Sequence, residues 1–221
     1  MRKLVVAAWV SGLVGLVAAV GCVAGLVTGY TARTVTSDSM TPTYRAGERV
    51  IFERVGGSGV GRGDVVLFSA PDRYGFDGSV MQRVVGVGGD RVVCCTAIGT
   101  PDERISVNGK PLPEPYLADG VADGMGRPYD VRVPEGRLFL LGDHRANSRD
   151  SRFFAEDHGG AVPVGAVQGR MTDDWTGPAL LASGALLGLV GALAGVGLGI
   201  AAVVVRRRRA AAPSAPWPGL V

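Results

Sequence analysis

The chain is 221 residues long, 47% hydrophobic, with 35 glycines and a formal net charge of +3. All 20 acidic residues lie between Gly29 and Pro178, whereas Arg2, Lys3 and Arg206 to Arg209 concentrate positive charge at the two ends. The middle is therefore slightly acidic, which argues against nucleic acid as a partner.

Leu4 to Val27 and Ala179 to Val205 carry no charged residue. About 20 apolar residues, rising ~1.5 Å each, cross a ~30 Å hydrocarbon core, so both stretches are expected to be transmembrane helices. Their Gly and Ala content lets helices pack closely. The first stretch exceeds the ~7–15 apolar residues of a cleaved signal peptide. No A-x-A pattern follows it in Thr28-Gly29-Tyr30-Thr31-Ala32-Arg33. An uncleaved anchor is expected. Basic residues flank both spans on the terminal side, so both termini are expected to face the cytoplasm and the middle to lie outside. The expected divisions are a leader and helix over 1–28, an extracytoplasmic domain over 29–178, a helix over 179–205 and a basic, Ala/Pro-rich tail over 206–221. The end of that tail, Ala210 to Val221, reads as disordered.

The middle reads as β structure. Arg49–Phe52, Asp64–Phe68, Gln82–Val87, Arg91–Val93, Arg104–Val107 and Arg137–Leu141 are short runs rich in β-branched or aromatic residues, separated by Gly, Asp, Asn and Pro. Asn108-Gly109 signals a tight turn. Gly56–Gly61 and Ala118–Gly126 read as flexible loops. Cys22 lies in the first span. Cys94 and Cys95 are neighbours, and a bridge between them is sterically awkward though possible. With no C-x-x-C or His cluster, no metal site is expected, and no cofactor is implied.

The chemistry begins with Ser39 in Thr36-Ser37-Asp38-Ser39-Met40-Thr41-Pro42-Thr43. Taken alone, it is a turn serine. Four further blocks change that reading: Gly63-Asp64-Val65-Val66, Gln82-Arg83-Val84-Val85-Gly86-Val87-Gly88-Gly89-Asp90, Val107-Asn108-Gly109 with Glu114-Pro115-Tyr116-Leu117, and Gly142-Asp143-His144-Arg145-Ala146-Asn147-Ser148-Arg149-Asp150-Ser151-Arg152. In this order, between two apolar spans, they resemble type I signal peptidases, membrane-bound serine endopeptidases that remove signal peptides. The resemblance covers about residues 4–170, and the last block is its most specific part.

That resemblance implies a mostly β, two-sheet domain tethered by an N-terminal and a C-terminal transmembrane helix. It implies Ser39 as nucleophile, with Ser37 and the Ser39 backbone N–H binding the oxyanion. It makes Ser148 the hydroxyl that orients the general base, and Arg83, Asp143, Arg145, Asp150 and Arg152 the charged residues that brace the site. The family's base is a lysine, whose amine is neutral near pH 7 when desolvated. Here Gln82 holds that position. An amide donates and accepts hydrogen bonds but is no base near neutral pH. Lys3 belongs to the leader, and Lys110 is expected in solvent. His144 and His158 read more simply as polar loop residues than as substitutes. Asp38 points away from Ser39 if the segment is extended.

Two readings stay open: a working signal peptidase with a weakened or rearranged base, and a catalytically impaired relative that binds preproteins without efficient cleavage. A third, plainer reading is a membrane-anchored β domain with an unrelated binding role. The implied partners are signal peptides of exported preproteins, bound as an extended strand on a sheet edge, and membrane lipid. The implied cut follows small residues. Met40 is expected either exposed, where it would help seat the site at the bilayer surface, or packed in the core.

Overall fold

The computed structural model describes residues 2–56, 59–126 and 128–210. Residues 57–58 of the expected glycine loop and 211–221 of the expected tail lie outside them. The chain divides into two units, Met1–Thr28 with Asp174–Val221, and Gly29–Asp173.

The first unit consists of two long helices, α1 (Arg2–Gly29) and α3 (Thr176–Ala210). Both are long and apolar enough to cross a membrane, and Val5–Gly29 and Thr176–Arg209 each contain an 18-residue stretch of mean hydropathy 2.3. Small residues let their backbones touch. A Cβ on Gly15 would stand 2.7 Å from the Gly188 carbonyl oxygen, and one on Gly188 would stand 2.7 Å from the Gly15 carbonyl oxygen. Cys22 packs on this seam as well, since a Cβ on Gly184 would lie 2.8 Å from its Sγ.

The second unit is mostly β. Its strands are β1 (Tyr30–Thr34), β2 (Arg49–Glu53), β3 (Val65–Phe68), β4 (Val80–Val87), β5 (Arg91–Thr96), β6 (Arg104–Val107), β7 (Lys110–Pro111), β8 (Tyr129–Arg132), β9 (Arg137–Leu141), β10 (Val162–Pro163) and β11 (Val167–Met171). One short helix, α2 (Pro71–Tyr74), precedes β4. A seven-stranded sheet runs β1-β2-β11-β3-β4-β9-β10, and a four-stranded sheet runs β7-β6-β5-β8. All six strands read from the sequence are present. Asn108 and Gly109 close the β6–β7 hairpin with φ of 54° and 77°, the left-handed pair that a two-residue turn requires.

Side-chain alternation along the central strands divides the core. Val65 and Leu67 of β3 join Val35, Met40, Tyr44, Val50 and Phe52, while Val66 and Phe68 join Val84, Leu138, Leu140 and Val162. Phe139 and Leu141 of β9 face a third cluster with Val85, Val92, Ile105 and Val107. β3 and β9 are thus buried on both faces, which is why they read as unbroken apolar runs.

Two expectations change here. Met40 is 0% exposed and packs in the first of these clusters, so the surface-seating role is withdrawn. The turn that carries it, closed by Tyr44 N–H donating to the Met40 carbonyl at 2.9 Å, directs the side chain inward. The Ala118–Gly126 stretch is no free loop: it contains a 3-10 turn at Ala118–Gly120 and the buried Ala122. Cys94 and Cys95 are bridged to each other, where the β5–β6 register shifts between Val93 and Thr96.

Candidate active site

The segment between β1 and β2 carries Ser37 and Ser39, whose hydroxyl oxygens are 3.0 Å apart. The 142–152 block, which follows β9, holds this segment at several points. His144 N–H donates to the Ser39 carbonyl at 3.0 Å. Thr43 donates its hydroxyl to the Asp143 carboxylate. Thr41 Oγ1 lies 3.0 Å from His144 Nδ1, which is also 3.2 Å from the Asp38 carbonyl oxygen. That nitrogen of His144 is therefore engaged away from the Ser39 hydroxyl. His158 is exposed beside Asp157, and Lys110 is exposed.

Ser148 is 5% exposed, and its hydroxyl makes no hydrogen bond among the described residues. Gly142 permits its approach to Ser39. A Cβ on Gly142 would overlap the Ser148 side chain and stand 2.7 Å from the Ser39 carbonyl oxygen. No residue other than glycine fits between the two serines without moving one of them.

Gln82, on β4, is 2% exposed. Its Nε2 donates to the Arg149 carbonyl at 2.8 Å and to the Tyr74 hydroxyl at 3.2 Å. Its Oε1 is buried without a partner among the described residues. Burial pushes the Tyr74 phenol up to about 12, against the lowering effect of its hydrogen bond from Gln82, so Tyr74 stays protonated and is no base either. Ser37, Ser39, Tyr74, Gln82 and Arg149 line one groove of about 670 Å³, whose apolar walls include Val35, Phe52, Leu67 and Met81.

The charged residues form a connected frame behind the groove. Arg83 makes two parallel bonds to Asp143, at 2.8 and 2.6 Å, and lies 4.0 Å from the centre of the Tyr116 ring. Burial pulls the Arg83 guanidinium down, but the Asp143 carboxylate outweighs this and holds it above its usual value. Arg145 is buried against the Glu114 carboxylate and donates to the Gly142 and Ala122 carbonyls at 3.0 and 2.6 Å. Arg152 pairs with Asp150 and Asp123 and donates to the Arg145 carbonyl. Asp150 in turn accepts the Gly142 N–H at 3.1 Å.

Ser37, Ser39, Gln82, Arg83, Asp143, Arg145, Ser148, Asp150 and Arg152 are thus gathered at one place. Reading the sequence missed Glu114 and Asp123 as the carboxylate partners of Arg145 and Arg152, and Thr43 and Tyr74 as contacts of Asp143 and Gln82. The Glu114-Pro115-Tyr116 run was the one available signal.

A family model described as signal peptidase, peptidase S26, matches residues 6–175. The chain is 33% identical over 144 residues to a probable signal peptidase I-2 of Synechocystis sp., covering 63% of this chain and 60% of that protein. It is 33% identical over 146 residues to signal peptidase IB of Staphylococcus aureus, covering 58% and 70%. It is 33% identical over 132 residues to signal peptidase I S of Bacillus subtilis, covering 53% and 64%. A crystal structure of a signal peptidase I from Enterococcus faecalis aligns at 29% identity with a TM-score of 0.39, over 51% of this chain and 97% of that one. The match thus spans about three fifths of the length of the Synechocystis relative. The chain belongs to the signal peptidase (peptidase S26) family.

Proposed function

We propose that the chain is a membrane-bound serine endopeptidase that removes signal peptides from exported preproteins after small residues. In this reading 1–28 and 179–205 anchor the protein with both ends in the cytoplasm, and 29–178 works outside at the lipid surface. The observation that carries it is the placement of Ser37 and Ser39 at one groove, with Ser148 buried behind it and Gly142 between Ser148 and Ser39. Ser39 Oγ adds to the scissile carbonyl carbon, and the Ser37 hydroxyl with the Ser39 N–H receives the oxyanion. As the scissile C–N bond breaks, the departing amine takes up the proton that the Ser39 hydroxyl loses, and water then hydrolyses the ester, its OH going to the acyl carbon and its remaining proton to Ser39 Oγ.

A second reading, binding without efficient cleavage, draws on Gln82. Both N–H bonds of its amide are committed to Arg149 and Tyr74, and its carbonyl is no base. Unassisted cleavage is accordingly expected to be slow.

The test is cleavage of a membrane-embedded preprotein by the purified full chain beside Ser39→Ala and Gln82→Lys. The proposal expects slow cutting by the parent, none by Ser39→Ala and faster cutting by Gln82→Lys. Equal rates for the parent and Gln82→Lys would sink the stated role of position 82. A silent parent with an active Gln82→Lys variant would establish the second reading.

A further inference from the structure

Ser39 stands between two peptide units, and His144 holds both. The unit after it is held at the Ser39 carbonyl, which accepts the His144 backbone N–H at 3.0 Å. The unit before it is held at the Asp38 carbonyl, which accepts the Thr41 hydroxyl at 2.8 Å and lies 3.2 Å from His144 Nδ1. Nδ1 is also 3.0 Å from Thr41 Oγ1.

These contacts place the proton on the ring. The Asp38 carbonyl only accepts, and Thr41 has one hydroxyl proton, which the shorter contact gives to that carbonyl. An unprotonated Nδ1 would then turn its lone pair on two oxygens and no donor. Nδ1 therefore carries a proton shared between the Asp38 carbonyl and Thr41 Oγ1, and the lone pair of the neutral ring is on Nε2. The imidazolium keeps the same Nδ1–H, so the contact does not depend on the charge of the ring.

The Asp38–Ser39 peptide is trans, and a trans peptide sets its C=O and N–H on opposite sides. Holding the Asp38 oxygen toward His144 thus aims the Ser39 N–H the other way. That N–H makes no hydrogen bond among the described residues, which leaves it open to an incoming oxygen.

We infer that His144 is a positioning residue that sets the direction of the Ser39 N–H toward the oxyanion. This rests on the proposed endopeptidase reaction and deepens it. The ring acts through the Asp38 carbonyl and moves no proton.

The experiment compares the full chain with its His144→Ala, His144→Asn and His144→Gln variants in detergent. An Asn amide carries its N–H as far from the backbone as Nδ1, and a Gln amide carries it as far as Nε2. Hydrogen exchange followed by mass spectrometry reads the 36–44 segment. Ala and Gln are expected to speed exchange there roughly 5- to 10-fold, the factor for one hydrogen bond, with β4 and β9 unchanged, and Asn to restore the parent rate. Preprotein cleavage is measured with each variant also carrying Gln82→Lys. Ala and Gln should lower kcat roughly 10- to 100-fold with KM little changed, because an oxyanion donor acts in the transition state. Asn should keep kcat and the shape of the pH profile between about pH 5 and 8. Asn as slow as Ala, or Gln as fast as Asn, would overturn the inference. A pH limb lost in His144→Asn would make the ring a base and overturn it too, as would exchange that rises throughout the β unit. If His144→Ala does not fold, Thr41→Val removes the other donor to the Asp38 carbonyl, and unchanged exchange over 36–44 in that variant refutes the clamp. Absence of cleavage by every chain refutes the proposed function and this role together, whereas cleavage insensitive to residue 144 refutes this role alone.

Discussion

Replacing Glu114 by Ala removes the carboxylate that pairs with Arg145. The side chains of the pair are 0% and 1% exposed. The guanidinium would keep its bonds to the Gly142 and Ala122 carbonyls, at 3.0 and 2.6 Å, but its charge would be buried without a counter-charge. Breaking a buried pair in this way costs about 3–5 kcal/mol. In a β unit spanning Gly29–Asp173, each kcal/mol moves Tm by roughly 2–4 °C. The variant is therefore expected to melt roughly 10 °C below the parent in the same detergent. Glu114→Gln, which keeps an acceptor oxygen, should lose about half as much. Differential scanning calorimetry, or the far-ultraviolet dichroism of the sheet followed on heating, reads this without any need for activity. A drop below about 2 °C for Glu114→Ala would refute the view that this pair ties the 114–123 segment to the 142–152 block.

Gly142→Ala is expected to force Ser148 and Ser39 apart at a cost of about 1–3 kcal/mol in stability, and misplacement of about 1 Å should lower kcat/KM roughly 100-fold. Unchanged cleavage would mean that the two serines need not be so close. Met40→Ala should destabilise the β unit by about 2–5 kcal/mol while leaving its binding to lipid vesicles unchanged, measured by unfolding and by co-sedimentation. Asp90 gives a pH dependence of defined sign. Burial alone would raise its carboxyl, but hydrogen bonds from Arg62, Val87 N–H and Asn108 outweigh this and hold it below the usual carboxylate range. The unfolded chain therefore binds the proton more readily, so the contribution is present above about pH 4 and lost as pH falls through the folded value. Asp90→Asn should flatten the fall in Tm on that acid limb, and an unaltered limb would assign the acid sensitivity elsewhere.

Much of this was legible in the sequence because it depends on local patterns. Six strands announced themselves through β-branched runs, and the β6–β7 turn through Asn108-Gly109. β1, β8 and β11 were less visible, since Tyr-Thr-Ala-Arg-Thr, Tyr-Asp-Val-Arg and Val-Gln-Gly-Arg-Met mix exposed polar residues into short strands. The serines and the charged block were recognisable as a set, but their partners were not. Glu114 reaches Arg145 across 31 residues and Thr43 reaches Asp143 across 100, distances over which composition carries no register. Met40 illustrates the same limit. An apolar turn residue next to a proposed nucleophile reads equally as exposed or as core until the tertiary structure shows which way the turn faces.

The most direct test is the mass of the mature product when the purified full chain is incubated in vesicles with a preprotein carrying Ala at the first and third places before the cut. The account predicts one product, beginning at the residue after the second of those alanines, formed slowly by the parent chain and not at all by Ser39→Ala. The same product from Ser39→Ala, or none from the parent after prolonged incubation with a preprotein it binds, would contradict the claim that Ser39 makes this chain a signal peptidase.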